Sequence, residues 1–267
     1  MKISIIGAGS IGGAIARGLA KGTLFKASDI TCTSLSEAAL QDLKKGYPDI
    51  HITQDNLEAA RSADMIIIAV KPWHVEGIID EIKPVLQLDR QIIISIAAGI
   101  TFDLLNTYLT KNTAYENIPV PTIFRVIPNT AIEVRSSMTF VSAFNASKEQ
   151  TELILRIFNE LGNAMLIEER LMAAGTALAS SGIAFALRYI RAAIEGGVEL
   201  GFYPEEAQEI VVHTVKGSVD LLLEKKSNPE AEIDKVTTPG GITIKGLNEM
   251  ELSGFTSSVI RGLKASK

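Results

Sequence analysis

Two short stretches hold the residues best suited to binding a ligand. Gly7, Gly9 and Gly12 form G-x-G-x-x-G near the front of the chain. Gly240 and Gly241 follow Pro239 in "TTPGGITIKGL", Thr237 to Leu247, near its end. Glycines beside a helical pattern either make a turn, or open a helix whose first N–H groups and positive dipole end face an anion. At the front each glycine has its own role. The first permits a tight turn, the second lets the backbone approach a pyrophosphate, and the third lets helix and strand pack closely. The chemistry of Gly7, Ala8, Gly9, Ser10, Ile11 and Gly12 is therefore that of a dinucleotide-phosphate loop. At the back, Ile242 and Thr243 follow the glycine pair at the start of a helical pattern, and turn and anion site both remain open.

Other chemistries find little support. The three histidines, His51, His74 and His213, are scattered, and no pair with Cys32 has metal-ligand spacing, so no metal is expected. A single cysteine rules out an intrachain disulfide and fits a cytoplasmic setting. The net charge of −5 argues against a nucleic-acid partner, which needs clustered Lys and Arg. The N-terminus does not read as a signal peptide. The most apolar stretches, "MIIIAV" and "IIISIAAGI", are shorter than the roughly 20 residues of a membrane span, so no membrane partner is expected. They read as buried parallel strands.

The elements that must position these residues alternate. An apolar strand from Lys2 to Ile6 runs into the glycine loop and then the helical "AIARGLAKG". "DITCTSL", "IHIT", "DMIIIAVKP" and "QIIISIAAGI" are further strands, each followed by a helical pattern, with Thr101 a plausible N-cap for the last. "PTIFRVIPNT", "SSMTFVSA" and "AMLI" finish the sheet. This alternation predicts an α/β fold with a mostly parallel sheet, here assigned to residues 1–168. From Glu169 the texture becomes helical to the end, giving a second domain over 169–267. Its first helix, to about Leu200, is apolar nearly all round and has to be buried, within its domain or against a partner.

The second strand bears on the cofactor. Its end carries Thr33, Ser34 and Ser36 and no acid before Glu37. An acid there would grip the ribose 2′-hydroxyl of NADH, whereas hydroxyls suit a 2′-phosphate. NADPH is therefore expected, with NADH as the alternative.

"IGAGSIGGAI", "AVKP", "SIAAGIT", "RVIPNT" and "TTPGGITIKGL", in this order, resemble the pyrroline-5-carboxylate reductase family, whose members make proline by reducing a cyclic imine with NAD(P)H. The resemblance covers nearly the whole chain and implies a Rossmann-type domain followed by an all-helical dimerisation domain. It implies a homodimer or higher oligomer, with the active site between subunits, and a small anionic imino acid as substrate. Carried over by position, it assigns cofactor contacts to Ser34, Asn56, Ala69, Val70, Lys71, Pro72, Ser95, Ile96 and Ala97. These positions suit the rule that ligands bind at the carboxyl ends of parallel strands. It assigns the substrate carboxylate to Gly240, Gly241, Ile242 and Thr243, and makes Thr243 the catalytic residue, its hydroxyl beside the imine nitrogen.

The chain departs from the family pattern at several places. Ile183 and Phe185 stand where the family carries proline and tyrosine, Ala131 follows "PNT", and Ile242 replaces a smaller or polar residue. Two other readings are a reductase of another small imino acid and a non-catalytic NADP-binding regulator. A β-hydroxy-acid dehydrogenase is disfavoured, because no lysine lies between Leu171 and Leu200.

Overall fold

The structure, a computed structural model, describes residues 1–111 and 119–267. These residues divide into two compact units, Met1–Ser180 and Ser181–Lys267. The sequence places the break near residue 168, but the segment after it belongs to the first unit by contact. Glu169 pairs with Arg125, and Ser180 donates its hydroxyl to the Pro128 carbonyl.

The first unit begins β1 (Ile3–Ile6), α1 (Ser10–Ala20), β2 (Ile30–Thr33), α2 (Glu37–Gly46), β3 (His51–Thr53), α3 (Asn56–Arg61) and β4 (Met65–Ile68). It continues α4 (Val75–Ile82), β5 (Ile92–Ser95), α5 (Phe102–Thr110), β6 (Thr122–Ile127), β7 (Ser137–Phe144), α6 (Lys148–Asn159), β8 (Gly162–Leu166) and α7 (Met172–Gly175). Among the described residues the sheet has eight strands in the order β3-β2-β1-β4-β5-β6-β7-β8. All neighbours are parallel except β6 and β7. This is the mostly parallel Rossmann-type sheet expected from the sequence. β1 lies between β2 and β4, so strand order reverses there and a crevice opens at the strands' carboxyl ends.

Isoleucine dominates the central strands because both faces are covered. Met65 and Ile67 of β4 join a cluster with Leu19 of α1, Leu40 of α2 and Ile154 of α6. Ile66 and Ile68 point the other way, to Ala60 of α3, Ile79 of α4 and Leu105 of α5. Each such isoleucine is worth ~1.5–3 kcal/mol of burial. The strands therefore lack the polar alternation of a half-exposed sheet.

A π-helical turn, Thr176–Ser181, leads to the second unit. Its helices are α8 (Gly182–Glu199), α9 (Pro204–Lys225), α10 (Pro229–Val236), α11 (Ile242–Leu252) and α12 (Phe255–Ala265). α8 and α9 approach closely where Gly197 faces Ala207, and Tyr189 meets Phe255 edge to face at 6.5 Å. Among the described residues of this unit Ala207 is the one fully buried side chain, while Leu187, Leu200, Leu223 and Leu252 are exposed. The helical run Glu169–Glu199 is long and apolar enough to cross a membrane by length and composition, and 22% of its most apolar window is buried.

Cys32 sits on β2 inside the first core, and burial pushes its thiol up to about 12. The thiolate, the reactive form, is thus suppressed in the folded chain at ordinary pH. The native protein should resist iodoacetamide at pH 8 and take one label per chain once unfolded in guanidinium chloride, as read by intact mass. Rapid labelling of the native chain would contradict this packing.

Candidate functional site

The glycine loop joins β1 to α1 at the reversal point. Gly7 has φ +98°, and a Cβ there would lie 2.8 Å from Val70 Cγ1 and 2.9 Å from the Ala69 oxygen. A Cβ on Gly12 would run into the Gly7 carbonyl oxygen. These two glycines are fixed by the protein itself: one by a left-handed turn against β4, the other by close packing of α1 on the loop. Gly9 differs. Its φ is −78°, and nothing lies within 4 Å of a Cβ built on it. The fold does not demand glycine there, but close approach of a ligand would. The N–H groups of Gly7 and Ala8 donate to the Thr33 carbonyl at 3.0 and 2.6 Å, which ties the loop to β2. Gly9 is the N-cap of α1 and offers no side-chain acceptor, so the next N–H groups are left to whatever comes from outside.

Beside the loop is a cleft of about 330 Å³. Gly7, Ser34, Asn56 and Val70, all expected from the sequence, line it together. Trp73, Gly77 and Glu81 line it too, unflagged by sequence reasoning, together with His74, which the sequence offered only as one of three scattered histidines. Trp73 is 73% exposed, far more than a large indole needs for packing alone. The one signal available was position: both ring residues directly follow "AVKP".

Asn56 bridges the cleft floor, accepting from the Thr33 hydroxyl at 2.6 Å and donating to Glu81 at 3.0 Å. Thr33 also lines the cleft, but it is buried and its hydroxyl hydrogen is donated to Asn56, so it has none left for an anion. Ser34 accepts from the Ser36 N–H, and Ser36 caps α2 by accepting from Ala39. Both serines keep their hydroxyl hydrogens for donation. Lys44 is committed to the Ile50 carbonyl at 2.8 Å.

Lys71 and Pro72 follow Ala69 and Val70, with Pro72 opening a single 3₁₀ turn to His74. Ser95 ends β5, Ile96 and Ala97 follow it, and none of the three lines this cleft. They start the adjacent loop, where the Ile96 N–H donates to the Ile68 carbonyl at 3.1 Å and joins the ends of β4 and β5. Ser95 accepts from the Ala97 N–H at 3.4 Å.

Gly240, Gly241, Ile242 and Thr243 belong to the second unit. Gly240 has φ +70° and open space around it. Gly241 is constrained by its neighbour, because a Cβ would lie 2.5 Å from the Thr238 hydroxyl oxygen. Gly241 is the N-cap of α11, again without a side-chain acceptor. Ile242 and Thr243 are therefore the first two helical residues, both exposed, with N–H groups free of intrahelical partners. Phe185 of α8 packs near Gly262 of α12.

Comparison with known proteins bears on both units. A family model described as "Pyrroline-5-carboxylate reductase dimerisation" matches residues 169–267. One described as "NADP oxidoreductase coenzyme F420-dependent" matches residues 2–99. The chain is 38% identical, over 99% of its length, to pyrroline-5-carboxylate reductase 1 of Dictyostelium discoideum, of which it spans 48%. It is 38% identical, over 99% of its length, to pyrroline-5-carboxylate reductase 2 of that organism, of which it spans 90%. Among solved structures, pyrroline carboxylate reductase of Plasmodium falciparum with NADP bound is similar at a TM-score of 0.86 and 26% identity, covering 100% of this chain and 95% of that one.

The glycines make separable predictions. Gly9→Ala should lose only N-cap preference, about 1 kcal/mol, while weakening NADPH binding at least about tenfold through lost close approach. Gly12→Ala should cost more stability, roughly 1–3 kcal/mol of overpacking, and lower the melting temperature accordingly. Thermal melts and fluorescence titration of NADPH read the two effects. Unchanged affinity in Gly9→Ala would contradict phosphate binding at this loop.

Proposed function

The chain belongs to the pyrroline-5-carboxylate reductase family, and on that premise we propose that it reduces 1-pyrroline-5-carboxylate to L-proline with a reduced nicotinamide cofactor. The observation that carries this reading is that α1 and α11 both open on an extended glycine, Gly9 and Gly241, which leaves the first N–H groups uncapped and the approach to them clear of a side chain. Backbone N–H groups at such a start bind an anion without net positive charge, as an acidic protein requires. The first would take the cofactor pyrophosphate along Gly9, Ser10 and Ile11, and the second the substrate carboxylate.

The cofactor, when bound, supplies the hydride that the imine carbon receives. NADPH is the preferred donor in this proposal. The end of β2 carries no acid to hold a ribose 2′-hydroxyl, and Ser34, which lines the cleft, and Ser36, two residues on, retain their hydroxyl hydrogens. Asn56, already braced by Thr33 and Glu81, presents a fixed amide to the same end. Ala69 to Pro72 and Ser95 to Ala97 carry the ribose and nicotinamide side.

In the helical unit, the N–H groups of Ile242 and Thr243 hold the carboxylate. The Thr243 hydroxyl accepts from the protonated imine N–H and keeps the electrophilic carbon polarised until the proton rests on the amine. Ile183 and Phe185 bring no hydroxyl to this chemistry, so Thr243 is the polar side chain left to place the nitrogen. Residues 169–267 form the dimerisation and substrate-binding part in this reading. A second copy of the chain covers the exposed leucines of α8, α9 and α11, which one copy leaves in water.

Thr243→Ala should cut kcat with 1-pyrroline-5-carboxylate by about 10²-fold and leave NADPH affinity within about twofold, because the cofactor phosphates sit elsewhere. Steady-state assays and fluorescence titration read both quantities. Near-wild-type turnover would remove Thr243 from the mechanism.

A further inference from the structure

Arg125 lies in the middle of β6 with its side chain only 7% exposed, an unusual place for a charge. Its Nη1 donates to Glu169 Oε1 at 2.7 Å. The same oxygen accepts the backbone N–H of Phe102, also at 2.7 Å. One carboxylate oxygen thus joins a buried sheet arginine to the first turn of α5. The guanidinium also stands 6.0 Å from the centre of the Phe102 ring.

The Phe102 N–H has a particular need for this partner. Thr101 caps α5 by accepting from Leu104, which leaves the first helical N–H unserved. Glu169 serves it from a residue 67 positions away in the chain. α5 begins where the β5 loop ends. That loop is held at its front by the Ile96 N–H on the Ile68 carbonyl, and it turns through Gly99 at φ +80°. Its far end is therefore held by Glu169. The loop borders a cleft of about 430 Å³ lined by Gly99, Thr101, Arg125, Glu169, Met172 and Thr176.

We propose that Glu169, seated on Arg125, is a positioning residue that fixes the far end of the Ser95–Thr101 loop and thereby sets the nicotinamide half of the cofactor. This rests on the assignment of Ser95, Ile96 and Ala97 to the nicotinamide side. Glu169 touches no reacting atom. It acts through the Phe102 N–H, so losing it should free the loop while the adenosine cleft, built from other residues, stays as it is.

The test compares NADPH with 2′,5′-ADP, which carries the adenosine end alone. Glu169→Ala should weaken NADPH about tenfold, leave 2′,5′-ADP within twofold, and lower kcat about 10²-fold, the usual consequence of small misplacement at a reacting centre. Glu169→Gln, whose amide oxygen still accepts from Phe102, should recover most of the NADPH affinity. If Glu169→Ala does not fold, the double variant Arg125→Met with Glu169→Met removes the charges together and gives the same comparison. Parallel loss of 2′,5′-ADP and NADPH binding, or wild-type NADPH affinity in the alanine or double variant, would overturn the proposal. The affinity ratio needs no turnover. A wild-type chain inert toward the imine would therefore count against the proposed reaction, and the ratio would still decide the role of Glu169.

Discussion

The first N–H groups of a helix need acceptors, and α1 and α11 begin on residues that cannot supply one. α2, α3, α5, α6 and α10 are closed by side-chain oxygens of Ser36, Asp55, Thr101, Ser147 and Asn228. α1 and α11 begin at Gly9 and Gly241 instead. Other helices lack a side-chain cap for local reasons: α4, α7 and α8 continue helical turns before them, α9 opens on Pro204, which has no N–H to cap, and α12 follows the left-handed Gly254 in the turn out of α11. An open helix start is a standing cost unless water or a ligand meets it, and an anion meets it best. Much of the first unit serves to hold one such start rigid. β1 carries the loop to the crevice, Gly7 turns against Val70 and Ala69, and Gly12 lets α1 sit down on the loop. The isoleucine sheet beneath fixes all three.

The same constraint would let an acidic chain take the anionic ligands proposed for it. With a net charge of −5, the protein draws on no broad positive field. In the proposed reading, attraction comes from oriented backbone dipoles that act over one helical turn, with the Ser34 hydroxyl in the cleft. Lys44, on the helix after β2, is spent on the Ile50 carbonyl.

The sheet, the glycine loop and the glycine pair before α11 were legible in the sequence because each is a local pattern. Buried parallel strands are continuous apolar runs, and a turn that needs φ > 0 shows its glycine. Side-chain partners distant in the chain were not legible. Thr33 reads as an anion ligand by its place at a strand end, yet its hydroxyl is spent on Asn56, 23 residues away. Glu169 reads as the start of a helical domain, yet it is tied to Arg125 and Phe102 of the sheet unit. Trp73 and Gly77 enter the cleft because the 3₁₀ turn after Pro72 swings the chain across the end of β4, which no periodicity reports. The glycine reading was also only half resolved. Gly9 and Gly240 are open to a ligand, whereas Gly7, Gly12 and Gly241 answer to their own backbone or neighbours.

The central claim is that the two open helix starts serve one imine reduction. The most direct test is to measure L-proline formed against NADPH consumed when the wild-type chain is given 1-pyrroline-5-carboxylate. One proline per NADPH oxidised is the predicted result. Binding of NADPH without its oxidation, or oxidation without proline, would contradict the account.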